Sequence, residues 1–104
     1  MKKIIEGKRY DTETAERLAV WRNHHYPSDF QWCQETLYRT AKGSLFLHGE
    51  GGAMSPYSEP VGNNGRGGGE TIRTMTEAEA LEWLEERGLA DEIERHFPDE
   101  IEDA

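Results

Sequence analysis

The sequence predicts an α+β fold, a small antiparallel sheet of about three to four strands packed against an N-terminal helix and two C-terminal helices. Three observations predict it. Two β-rich runs, Glu35–Thr40 and Ser44–His48, flank the short connection Ala41-Lys42-Gly43. Thr71-Ile72-Arg73-Thr74-Met75 reads as a last strand. Thr76-Glu77-Ala78-Glu79 then matches a capping box, which marks the start of a helix. With 104 residues the chain has room for one domain and one core, spanning 1–104.

Ile4-Ile5 reads as a short strand that turns at Gly7 and resumes through Tyr10. Asp11 or Thr12 caps a helix over 12–22, in which Ala15, Leu18, Ala19 and Arg22 fall at i, i+3, i+4 and i+7. Residues 23–31 form a polar connector with a turn at Pro27.

The hairpin 35–48 carries apolar groups on both faces: alternation puts Leu37 and Arg39 on one face with Tyr38 on the other, and Leu45 and Leu47 opposite Phe46. It is therefore expected at the centre of the sheet. Gly43 supplies the backbone freedom its loop requires.

Residues 49–69 read as one long glycine-rich loop, with eight of the eleven glycines and no periodicity. A strand over 70–75 follows. A helix over 77–87 places Ala80, Leu81, Trp83 and Leu84 inward and stops at Gly88. A second helix over 90–97 uses Leu89, Ile93 and Phe97 and ends at Pro98. An acidic tail covers 98–104, where Ile101 adds one apolar contact. The expected core includes Leu18, Leu45, Phe46, Leu47, Ile72, Leu81 and Leu84, with Trp21, Trp32 and Trp83 at or near it.

Charge is unevenly spread. Of the net −9, residues 77–104 hold twelve acidic and two basic groups, a balance of −10, whereas residues 1–76 come to +1. Phosphates are repelled by such an end, which disfavours direct nucleic-acid binding and favours a basic protein surface as the counterpart. Glu82, Glu85, Glu86, Asp91, Glu92 and Glu94 form the candidate partner-binding set. These helices lack the interleaved lysines that usually support exposed acidic residues at i, i+4. A solvated outer face is the competing explanation of the same run.

Other constellations are weaker. His48-Gly49-Glu50 puts an imidazole and a carboxylate two residues apart at a strand end, a pair suited to acid–base work or metal binding. The alternative is a strand leaving the sheet through a glycine turn. His24, His25 and Cys33 lack the Cys-x-x-Cys or His-Glu-x-x-His spacing of a zinc site, so no metal or cofactor is expected. Gly62–Gly69 lacks a phosphate-loop pattern and precedes a strand. One cysteine permits no intrachain disulfide. The N-terminal residues form no apolar leader, and no run is long enough to span a bilayer, so a cytoplasmic protein without membrane contact is expected.

The blocks Ile5–Ala15, Glu35–Gly52 and Thr76–Leu84 resemble small proteins encoded by bacterial prophages and mobile elements, some of which are anti-CRISPR inhibitors. That resemblance implies an inhibitor and carries over no catalytic residues. Together with the acidic end it gives the expectation of a non-enzymatic protein, monomeric or homodimeric, that acts in the bacterial cytoplasm on a basic, nucleic-acid-handling host protein. Two other readings remain: a small enzyme using His48 and Glu50 beside the glycine loop, or a structural protein that dimerises through Leu89, Ile93 and Phe97.

Overall fold

The computed structural model describes residues 1–104. Its centre is a four-stranded antiparallel sheet in the order β3-β4-β5-β8, built from Glu16–Arg22, Cys33–Arg39, Leu45–Gly51 and Gly69–Met75. The expected hairpin supplies β4 and β5, the two central strands, and the expected strand at 70–75 supplies the β8 edge. Before the sheet comes a hairpin of β1 (Lys2–Ile5) and β2 (Lys8–Asp11). Its two-residue turn has φ values of 51° at Glu6 and 77° at Gly7, the pair of positive angles that a tight hairpin turn requires.

The segment expected as an N-terminal helix is strand β3. Turn bonds replace a helical start: Thr14 and Ala15 both donate to the Asp11 carbonyl, and Asp11 Oδ1 accepts from the Glu13 amide at 3.0 Å. The helical periodicity has a specific origin. The register of β3 against β4 shifts between Arg17 and Ala19, and at this irregularity the consecutive residues Leu18 and Ala19 are both buried. Two adjacent inward residues break the period of two and imitate the i+3, i+4 stripe. Val20 and Trp21 then favour the pleated state.

Alternation gives the sheet two different faces. On one, Leu37, Leu45, Leu47 and Met75 join Leu18 and Ala19 beneath two helices, which contribute Ala80, Trp83, Leu84 and Phe97. On the other, Phe46 and Ile72 are covered by Tyr10 of the N-terminal hairpin. Tyr10 meets Phe46 edge-on at 5.6 Å between ring centroids, and Tyr38 stacks on Phe46 at 5.1 Å. The expected core residues are buried except Leu81, which is only half-buried.

Helices α1 (Glu77–Glu86) and α2 (Ala90–His96) lie where the sequence puts them. Thr76 and Glu79 bond reciprocally at 3.1 and 2.9 Å, completing the capping box. Helix α1 ends in a Schellman turn: Gly88, at φ 70°, donates to Glu85 and Leu89 donates to Leu84. A 3₁₀ turn, Pro98–Glu100, follows α2.

The stretch 49–69 is not one free loop. Strand β5 continues to Gly51, a small hairpin pairs β6 (Glu59–Val61) with β7 (Gly65–Gly67), and β8 begins at Gly69. Tyr57 anchors it. A Cβ on Gly49 would sit 2.0 Å from the Tyr57 ring, so the absent side chain is what lets the ring lie against the sheet.

Candidate functional site

Three polar surfaces carry the chemistry of this fold, and the first is buried. Glu35 points inward from β4 toward the helices and is 8% exposed. Its Oε1 accepts from the Trp83 indole at 2.9 Å and from Arg87 Nη2 at 2.7 Å, while Oε2 accepts from the Tyr57 hydroxyl. Burial alone raises the Glu35 pKa; the bonds from Tyr57, Trp83 and Arg87 outweigh it and hold the carboxyl below its ordinary range. Burial and the same carboxylate push the Tyr57 phenol up. The Arg87 guanidinium also lies 4.1 Å over the Trp21 ring, and its buried Nε has no partner. Apart from that Nε, the polar groups here are occupied by one another, so this cluster holds α1 and the 52–58 segment to the sheet.

The second surface is the C-terminal helical end. Glu82, Glu85, Glu86, Asp91 and Glu94 are exposed. Glu92 differs: it is half-buried and pairs with Arg95 and His96, each at 3.3 Å. The set also divides between two sides. Glu82 and Glu86 border a shallow depression with Arg73, Glu79 and Trp83 beside the β8 edge. Glu85 and Glu94 rim a groove of about 310 Å³ with an apolar floor of Leu81, Ala90, Ile93 and Ile101, joined by Glu100 and Glu102 from the tail. No basic residue lines that groove. The Glu77 carboxylate raises the Glu100 pKa, through a hydrogen bond that the Glu100 carboxyl donates to it and through its charge. Sequence reading found the acids but not the groove, which appears only when the tail folds back past α2.

The third surface lies on the opposite face of the sheet. In the cross-strand register, Thr36, His48 and Ile72 form one row, and Gln34, Glu50 and Glu70 form the next. His48 Nε2 and Glu70 Oε2 are 2.8 Å apart. The His48, Glu50 and Glu70 ligand atoms all lie within 4.8 Å of one another. His48 and Glu50 were visible as a pair in the sequence, whereas Glu70 is brought to them by the β5–β8 pairing. His24 and His25 lie in the loop after β3, where their ring centroids approach at 4.7 Å. Cys33 is buried, and burial followed by the Glu35 charge raises its thiol pKa.

The three tryptophans are buried or half-buried. The exposed aromatic residues are Tyr26 and Phe30, in a loop tied to Met54 by the Met54 amide bond to the Phe30 carbonyl at 2.7 Å. No helix is long and apolar enough to cross a membrane. Comparison of the chain with protein-family models, with curated proteins and with solved structures gives no match.

Proposed function

We propose that the protein is a non-enzymatic inhibitor or adaptor whose acidic helical end engages a basic, nucleic-acid-binding surface of a partner protein. Inhibition of a host defence complex, the role implied by the anti-CRISPR resemblance, belongs to this class. The observation that supports it most is the groove between α1, α2 and the tail. It combines an apolar floor with a rim of Glu85, Glu94, Glu100 and Glu102. Apolar area supplies affinity and the surrounding negative field speeds encounter with a cationic surface.

The test uses wild-type protein and a quadruple variant carrying Glu82→Lys, Glu85→Lys, Glu86→Lys and Asp91→Lys. Both are immobilised and exposed to the nucleic-acid-binding fraction of bacterial host lysate. Wild type is expected to retain a basic protein stoichiometrically and to release it on addition of salt or excess nucleic acid. The variant, with unchanged circular dichroism, is expected to retain none. Equal retention by the two would end the electrostatic reading.

A further inference from the structure

We infer that His48, Glu50 and Glu70 form a binding site for one divalent transition-metal ion, with zinc the best match to the donor set. The site lies on the sheet face opposite the helices and is independent of the acidic groove. An imidazole nitrogen with two carboxylate oxygens is a donor combination that zinc and its first-row neighbours accept readily. Three convergent ligands distinguish this place from the sequence pair His48 and Glu50 alone. They come from two hydrogen-bonded strands, so the backbone that carries them is already fixed.

The geometry fits in two respects. Ligand atoms bound tetrahedrally at about 2.0–2.2 Å stand about 3.3–3.6 Å apart. His48 Nε2 and Glu70 Oε2 stand 2.8 Å apart, so a small outward rotation of the exposed Glu70 side chain admits the ion between them. A cation takes the place of the hydrogen bond between them, on the neutral imidazole. Glu50 lies two residues from His48 on the same face and directly opposite Glu70. With all donor atoms inside 4.8 Å, side-chain rotation suffices to close the set.

The electrostatics point the same way. Two carboxylates placed directly across an antiparallel pair repel each other. The cations bordering this row do not neutralise them: Arg22 Nε donates to Gln34 at 2.8 Å and Lys3 reaches Thr71 at 3.5 Å. Neither forms an ion pair with Glu50 or Glu70. A bound dication supplies the missing positive charge. His48 has a side chain only 12% exposed, which shields that ligand while the Glu70 side leaves the site open to solvent. Three protein ligands leave at least one coordination position for water.

The test is titration of chelator-treated full-length protein with Zn²⁺ by calorimetry, with Co²⁺ absorption reporting the ligand field. Wild type is expected to bind one equivalent and to melt at a higher temperature when loaded. Glu70→Gln and His48→Gln are each expected to weaken binding about tenfold or more, with the metal-free circular dichroism unchanged. Glu50→Gln, at a position with no hydrogen bond to lose, is expected to weaken binding likewise, and unchanged affinity there would overturn the three-ligand site. The His24→Ala, His25→Ala double variant is expected to bind as wild type does. Absence of one-equivalent binding overturns the inference, as does binding that survives Glu70→Gln and His48→Gln or that disappears with His24 and His25.

Discussion

Glu35 on β4 and Trp83 on α1, 48 positions apart in the chain, are joined by a 2.9 Å hydrogen bond from the indole Nε1 to the carboxylate Oε1. That bond fixes how the acidic helices sit on the sheet. Only 19 of the 104 residues are buried, and Glu35 is the one charged residue among them. Arg87 and Tyr57 reach the same carboxylate from the end of α1 and from the segment after β5. Glu35 thus connects three parts of the chain that no backbone ladder joins.

Replacing Glu35 by Ala should destabilise the protein by about 3 kcal/mol, since it strands the partners of a buried charge. The Arg87 side chain is 30% exposed and regains some hydration, which keeps the loss near the lower end for such pairs. Removing both groups, as Glu35→Leu with Arg87→Met, should cost less than Glu35→Ala alone. Urea unfolding of the three proteins checks this. A double variant at least as destabilised as Glu35→Ala would mean that the stranded Arg87 charge is not the source of the loss.

The helices, the central hairpin and β8 were legible because each lies beside a local stop or start signal: Gly43 in the hairpin loop, the Thr76–Glu79 capping box after β8, Gly88 after α1 and Pro98 after α2. Strand β3 was not, because the adjacent inward residues Leu18 and Ala19 mimic a helix. Alternation through Cys33, Glu35 and Leu37 already turned Glu35 inward, but its partners lie 22, 48 and 52 residues away. Long-range convergence of this kind leaves no local pattern. Glu70 was hidden for the same reason: the register that sets it opposite Glu50 is closed only after the β6–β7 excursion. Gly49 carried a readable signal, an absent side chain inside a strand, but nothing local named Tyr57 as the group that uses the space.

Acid should weaken the fold partly through Glu35. Its folded-state pKa is lowered, so the unfolded chain binds the proton more readily. The stabilisation is complete above the ordinary glutamate range, near about pH 4.3. It is lost as pH falls through the lower folded-state value. A Glu35→Gln variant should therefore be less stable than wild type at neutral pH, and the gap should narrow as the solution is acidified below that range. Chemical denaturation across this window tests the sign. A gap that stays constant down to pH 2 would assign acid sensitivity to other carboxylates.

The division of the acidic surface leads to the sharpest prediction about binding. Two double reversals, Glu85→Lys with Glu94→Lys and Glu82→Lys with Glu86→Lys, each take the net charge from −9 to −5, because every Glu-to-Lys exchange adds two. Long-range attraction to a basic partner is thus reduced equally in both, and association should slow by a similar factor at low salt. The effect should fade as the screening length shrinks to about 8 Å near 0.15 M salt. Dissociation should separate the two. Glu85 and Glu94 stand at the rim of the apolar groove, where docking would remove them from water, whereas Glu82 and Glu86 lie on the β8 side. Truncated or reversed charges at a desolvated contact act on the off-rate. The rim pair should therefore speed dissociation markedly while the β8-side pair leaves it near the wild-type rate. Surface-binding kinetics with the captured basic partner give both rates directly. Faster release from the β8-side pair, with the rim pair unaffected, would move the contact away from Leu81, Ile93 and Ile101 and onto the face beside Arg73.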